Sequence, residues 1–108
     1  VGTRFYTYVS TLHYMMEACA YLNIPLILLD RPNPNGHYID GPVLDIRYKS
    51  FIGMHPVPIV HGMTLGEFEN MINGEGWLKN KKKCNRFNQF SIRGYSSHGF
   101  IKMGFVVR

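Results

Sequence analysis

The most constraining feature of the chain is an unbroken apolar run at residues 24–29, which carries Pro25 and stops at Asp30. Such a run is expected of a strand covered on both faces in a parallel sheet. Upstream, Leu12, Met15, Met16, Cys19 and Leu22 recur at helical spacing, the stripe of an amphipathic helix ending near Asn23. Ser10 or Thr11 is placed to cap that helix by accepting a free backbone N–H. Residues 3–9 are rich in aromatic and β-branched side chains, which suit a half-buried pleated surface and predict a further strand. Strand, helix and buried strand with short joints make a βαβ unit. The expectation is an α/β fold with the strands at 3–9 and 25–29 adjacent and parallel.

Asp30-Arg31-Pro32-Asn33-Pro34-Asn35-Gly36 follows the run directly. Two prolines forbid ladder pairing and Asn35-Gly36 favours a tight turn. The loop therefore leaves the carboxyl end of a strand, where open α/β sheets bind ligands. Residues 37–45 read as extended and broken by Gly41-Pro42. Residues 50–63 read as an ordered loop with a short strand at 57–60. Thr64-Leu65-Gly66-Glu67 has the spacing of a capping box, and Leu65, Phe68 and Ile72 then share a helical face. Asn73-Gly74 is expected to end that helix in the left-handed conformation, before a compact turn at Glu75-Gly76-Trp77-Leu78. From Lys79 onward the apolar residues fit neither a period of 2 nor one of 3.6, so the tail, residues 79–108, is read as irregular.

Charge divides the chain at the same place. The 108 residues carry a formal charge of +5, yet 79–108 hold eight of the 12 Lys and Arg and none of the seven acids. Residues 1–78 are mildly acidic. A basic chain raises nucleic acid as a partner. Here the signal comes from the tail alone, and a DNA-binding domain usually builds its patch on folded elements, so no nucleic-acid partner is expected. The alternative is a small basic binding module for nucleic acid or an anionic cell-wall polymer. At 45% hydrophobic residues the chain is too apolar for a disordered one. No run approaches the roughly 20 apolar residues of a membrane-spanning helix. The chain starts at Val1 without a signal-like segment, which reads as a processed product or a fragment. Cys19 and Cys84 lie far apart, and Cys19, on the helix stripe, is expected to be a buried free thiol.

Several groups could carry chemistry. The carboxylate, guanidinium and amides of Asp30, Arg31 and Asn33 are clustered in a stiff loop, able to bind a polyhydroxylated or carboxylate-bearing ligand; the plainer reading is local pairing and turn capping. His55 and His61 flank Pro-Val-Pro-Ile-Val and could serve zinc only with a third ligand from elsewhere, so they read as loop-bracing histidines and no metal is expected. His13 and His98 receive no role. Asp30, Glu67, Glu69 and Glu75 could supply a glycosidase carboxylate. Glu67 is accounted for by the capping box and Glu69 reads as a solvated helix residue. Glu75 lies beside Trp77, which could stack on a sugar or anchor the loop. The absence of a P-loop, Gly-x-Gly-x-x-Gly and Gly-x-Ser-x-Gly removes the usual nucleotide and serine-hydrolase readings, and no cofactor is expected.

Gly2-Thr3-Arg4-Phe5-Tyr6-Thr7-Tyr8-Val9-Ser10-Thr11-Leu12 resembles a block of the bacterial exo-lytic β-N-acetylmuramidase family. So do Leu29 to Gly36, Asp40-Gly41-Pro42-Val43-Leu44, Phe51 to Pro58, His61-Gly62-Met63-Thr64 and Asn73 to Leu78, in the family's order, over about residues 2–78. The resemblance implies a peptidoglycan hexosaminidase that removes N-acetylmuramic acid from the non-reducing end of cell-wall fragments. It implies a Rossmann-like parallel-sheet domain paired with a second domain, in enzymes several times longer than this chain. Members are secreted or lipid-anchored in the bacterial envelope, and some are cytoplasmic. The substrate-binding residues expected from the blocks are Tyr6, Tyr8, Asp30, Arg31, Asn33, His55, His61 and Glu75, with Arg31 on the lactyl carboxylate. The catalytic residue is not assigned, because the family's Glu-His-Gly segment lies upstream of this chain. Residues 1–78 are thus read as part of the Rossmann-like domain, and 79–108 as a basic divergent tail, non-native to the family or disordered, after a disrupted reading frame near Lys83. The chain alone is expected to be inactive.

Overall fold

The computed structural model describes residues 2–79, 83–84, 87–90 and 104–107. In chain order the elements are helix α1 (Tyr8–Leu22), strand β1 (Leu26–Leu29), a short 3-10 turn (Ile46–Tyr48), helix α2 (Leu65–Gly74), and strands β2 (Phe87–Phe90) and β3 (Gly104–Val107). The sheet order is β2-β1-β3, so the apolar run found in the sequence is its central strand. β1 pairs parallel with β2, Leu26 opposite Phe87, and antiparallel with β3, Leu26 opposite Val107. The sheet is therefore mixed. A parallel pair needs a crossover, and the connection that contains α2 supplies the one between β1 and β2.

The strand expected at 3–9 is not formed. Tyr6 N–H closes a turn onto the Thr3 carbonyl at 3.1 Å, and α1 has begun by Tyr8. The backbone groups that would have built a ladder are used otherwise. Arg4 N–H donates to the Ile59 carbonyl at 2.7 Å, and its guanidinium donates to the carbonyls of Val57 and Pro42. The βαβ unit expected over 3–29 is thus replaced by one built from β1, α2 and β2. Strand propensity records fit to a half-buried surface, and Val9 meets that need inside the helix. It extends the stripe upstream to Val9, Leu12, Met16 and Cys19, all buried, while Leu22 is 60% exposed and outside it. Ser10 is an interior helix residue whose hydroxyl donates to the Phe51 carbonyl, not a cap. Asn23 closes α1 in the left-handed conformation at φ 54°. Cys19 is a buried free thiol, as its place on the stripe predicts.

β1 is covered less completely than a continuous apolar run suggests. Leu26 and Leu28 are fully buried, Ile27 is half-buried and Leu29 is 40% exposed. Alternate side chains face opposite sides of a strand, and the core lies on the Leu26–Leu28 side. There Leu12 and Met16 of α1 meet Phe68 and Ile72 of α2. The capping box of α2 is present in full: Thr64 Oγ1 accepts from Glu67 N–H, and Glu67 accepts from Thr64 N–H. Its C-terminus differs from expectation. Gly74 is the last helical residue, Glu75 follows in right-handed geometry, and the left-handed glycine is Gly76 at φ 67°. The strand expected at 57–60 is a single bridge, Asp40 to Val60. The irregular tail is corrected by β2 and β3, which lie within it; the expectations for residues 91–103, including His98, fall outside the described residues.

Candidate functional site

The carboxyl end of β1 delivers Asp30 and Asn33 into the protein, where both are buried. Asp30 Oδ1 accepts the Arg31 backbone N–H at 3.0 Å and Oδ2 accepts the Thr64 hydroxyl at 2.6 Å. Thr64 is the N-cap of α2, so one hydroxyl serves two purposes: it caps the helix and holds the carboxylate at the sheet's end. Asn33 braces the same junction. Its Nδ2 donates to the Met63 carbonyl at 2.9 Å, and its Oδ1 accepts Asn35 N–H at 2.9 Å. Met63 N–H in turn donates to His61 Nδ1 at 3.2 Å. Residues 61–64 therefore lock the 30–36 loop against the start of α2. Gly62 permits this path: its φ is +69°, and an added Cβ would stand 3.0 Å from the Tyr38 carbonyl oxygen.

His61 accepts at Nδ1, so its proton is on Nε2, which is buried with no partner among the described residues. Burial holds its pKa below the usual imidazole range. Glu69, at the start of the second turn of α2, is more extreme. It is fully buried, and neither carboxyl oxygen has a hydrogen-bond partner among the described residues. Desolvation first, and the Asp30 charge second, push its pKa up to about 8.

A second buried polar group lies across Phe68, against whose ring both His55 and His61 pack edge-on. His13 Nε2 donates to Glu17 Oε1 at 3.2 Å, and His55 Nε2 lies 2.9 Å from His13 Nδ1. The carboxylate can only accept, which fixes both tautomers: His13 carries its proton on Nε2 and receives the His55 Nε2 proton at Nδ1. Lys79 N–H donates to the same Glu17 oxygen at 3.3 Å. Burial lowers the pKa of His13 despite Glu17, and pushes His55 down to about 3. Trp77 stacks on His55 at 5.2 Å and packs against the core, so it anchors its loop.

The residues singled out in the sequence divide accordingly. Asp30, Arg31, Asn33 and His61 meet at the β1–α2 junction, and His55 stands on the other side of Phe68. Arg31 is half-buried, and its guanidinium makes no hydrogen bond or ion pair with a described residue; it does not pair with Asp30. Tyr6 and Tyr8 are about half exposed and in edge contact with each other at 5.5 Å. Their expected place on the β1 rim rested on a strand at 3–9, which is not there. Glu75 is the exposed cap of α2 and joins neither cluster. His13, Glu17 and Glu69 were not foreseen. A charged residue on a helix suggests a solvated face, but Glu69 continues the buried face Leu65, Phe68, Ile72 at helical spacing, which is the signal that finds it. His13 and Glu17 stand at i and i+4, the spacing at which helical side chains meet. Among the described residues no group of three metal-ligating side chains gathers, and no helix is long and apolar enough to cross a membrane.

Residues 1–102 match the family model described as exo-beta-N-acetylmuramidase NamZ, N-terminal. The chain belongs to that family. It is 53% identical over 76 residues to the peptidoglycan beta-N-acetylmuramidase NamZ of Bacillus subtilis, 69% of this chain and 18% of that protein. Two crystal structures of DUF1343 family proteins from Bacteroides fragilis are similar. One has a TM-score of 0.86 at 49% identity, covering 92% of this chain and 28% of that one. The other has a TM-score of 0.75 at 42% identity, covering 82% and 23%. The chain thus spans less than a third of each of these relatives. Within the NamZ family segment, the Asp30–Thr64 junction ties the end of β1 to the start of α2 through side-chain hydrogen bonds.

Proposed function

We propose that this chain supplies one wall of the sugar site of an exo-β-N-acetylmuramidase, which hydrolyses terminal N-acetylmuramic acid from the non-reducing end of peptidoglycan fragments. The observation that carries the reading is the family match over residues 1–102, and the hydrogen-bonded Asp30 junction supports it. The relative from Bacillus subtilis bears that activity in its name. Asp30 and Asn33, fixed by buried hydrogen bonds, are rigid acceptors at the carboxyl end of a central strand, where an α/β sheet meets its ligand. Arg31 extends from the same rim a guanidinium without a partner among the described residues, suited to the lactyl carboxylate of muramic acid through two parallel hydrogen bonds. Tyr6, Tyr8, His55, His61 and Glu75 are secondary members of the substrate-binding set.

The segment acts as part of a Rossmann-like domain whose cleft is closed by a second domain, in a protein of the bacterial envelope or its exterior, or of the cytoplasm. It takes muramyl saccharides and no nucleic acid, and by itself it does not turn over substrate. Residues 79–108 form the basic divergent tail of this unit. If the chain is retained on heparin and loses retention when Lys81, Lys82 and Lys83 become Gln, the binding-module alternative gains over this reading.

The test grafts this segment into the Bacillus subtilis relative in place of its matching residues, with and without Arg31→Lys. Lysine keeps the charge and loses the fork. Turnover of chromogenic muramides should fall by about tenfold more than turnover of N-acetylglucosaminides, which lack the carboxylate. Equal losses on both substrates would make Arg31 a structural residue. A graft that leaves the enzyme folded but dead on both would overturn the reading.

A further inference from the structure

Glu69 is the one acid of α2 placed on its core face. Leu65, Phe68 and Ile72 around it are apolar and buried, so an apolar side chain would fit the pattern and Glu69 breaks it. A buried carboxyl with both oxygens unbonded costs stability, and an ionised one costs more. The acid with which it interacts is bonded quite differently. Asp30 has two donors in place, the Thr64 hydroxyl and the Arg31 backbone N–H, and both favour its ionised form. Of these two interacting buried acids, one is equipped to hold a charge and one is not.

We propose that Glu69 is a positioning residue for Asp30: the two acids together carry a single negative charge, Asp30 holds it, and Glu69 stands beside it as a neutral carboxylic acid. Its high pKa agrees with this assignment. The pair follows the general pattern in which neighbouring carboxyl groups are driven apart in pKa by unequal surroundings. Glu69 has no exposed surface, so it acts through Asp30 and not on a ligand. Its ionisation at alkaline pH adds a second negative charge that acts on Asp30. Binding of an anionic sugar at this rim then weakens. This consequence rests on the muramidase reading; the division of charge between the two acids does not.

The other titratable groups packed around α2 do not mimic this titration. His13 on α1 and His55 and His61 on the adjoining loop have pKa values lowered by burial, so they are already neutral above pH 7. The Cys19 thiol on α1 is pushed up from 9.0. Glu17 on α1 is spent on His13 and Lys79 N–H. The charged N-terminus that acts on His61 is the remaining group, so a transition near pH 8 belongs to Glu69 where it vanishes in Glu69→Gln.

The experiment follows the side-chain carboxyl carbons of the 108-residue chain by NMR from pH 3 to 10, in wild type, Glu69→Gln and Asp30→Asn. The Glu69 signal should titrate near pH 8 and vanish in Glu69→Gln. In Asp30→Asn it should move down, because the neighbouring charge is gone, and stay above the ordinary glutamate range, because burial remains. A Glu69 that titrates between 4 and 5, or that ignores Asp30→Asn, overturns the proposal. In parallel, the affinity for free N-acetylmuramic acid is measured from pH 6.5 to 9. Wild type should lose affinity severalfold across that span. Glu69→Gln should abolish the pH dependence, whatever its affinity at pH 6.5; the same decline in both proteins overturns the positioning role. No binding by wild type at any pH overturns the positioning role in this chain, the carboxyl titration still decides where the charge resides, and the muramidase reading stands or falls on the graft. If Glu69→Gln does not fold, Glu69→Leu, matched to the apolar face, takes its place.

Discussion

Two buried polar clusters flank Phe68, and they are built on opposite principles. In the chain Glu17–His13–His55 each hydrogen-bonded proton meets an acceptor, and the tautomers follow from the carboxylate at one end. At the β1–α2 junction, Asp30 and Asn33 are bonded, yet Glu69 and the Nε2 of His61 are buried without partners among the described residues. The closed network makes the packing of α1 on the 51–57 segment specific, since each bond fixes the next. The open one spends stability. Burying a carboxyl on an apolar helix face has no structural return of its own, and titratable groups perturbed in that way cluster where proteins bind or react.

The largest expected effect of this contrast is on the pH dependence of stability. Glu69 has a folded pKa raised from 4.5 to about 8, so its contribution is complete below pH 4.5 and is lost as pH rises through 8. The histidines act in the opposite sense. Their folded pKa values lie below 6.5, so their contribution is present above pH 6.5 and is lost as pH falls, toward 3 for His55. Between 4.5 and 6.5 three rising slopes oppose one falling slope; above 6.5 only the falling one remains. Denaturant unfolding should therefore show greatest stability near pH 6.5. Glu69→Gln should match wild type near pH 4 and exceed it increasingly above that, by on the order of a few kcal/mol at pH 9. A constant offset between the two proteins across pH would show that Glu69 ionises freely in the folded state.

Breaking the closed cluster should cost less than that span, at every pH. His13→Ala removes the central link and leaves the His55 Nε2 proton and a Glu17 oxygen without their partner. Buried groups left unpaired, plus the space vacated, amount to about 2–3 kcal/mol. Chemical denaturation at pH 7 measures it. The acid-side slope of stability should also become shallower, because a titrating histidine is gone. A loss under about 0.5 kcal/mol would mean that the chain of bonds contributes nothing net.

The sequence made the two helices and the central strand legible, because each carries its own periodicity and α2 its own capping box. Residues 3–9 misled because aromatic and β-branched side chains suit a strand surface and also a helix face that begins at Val9; the bonds of Arg4 to the 57–59 segment decide between them, and those are tertiary. The partners of β1 were illegible for a related reason. Four-residue strands separated by long connections leave no periodic trace, and their pairing is set by register across the sheet. At the site, Asp30 and Asn33 were visible as polar residues following a buried strand. Glu69 was not, because a charged residue is ordinarily assigned to the solvated face, although its spacing from Leu65 and Ile72 placed it on the buried one.

The smallest expected effect separates the two duties of Thr64. Its hydroxyl oxygen accepts Glu67 N–H at 3.2 Å to cap α2, and its proton goes to Asp30 Oδ2. Thr64→Ala removes both, and a lost N-cap alone costs about 1 kcal/mol. Thr64→Ser keeps the hydroxyl and should recover most of that loss. Thr64→Asn discriminates further. Its side-chain oxygen can still cap the helix, whereas the short Oγ–H bond to Asp30 is gone. If Thr64 serves only the helix, asparagine equals serine by thermal unfolding. If it also holds the Asp30 carboxylate, the asparagine protein unfolds below the serine one, because Asp30 Oδ2 has lost the short hydroxyl donor that serine restores.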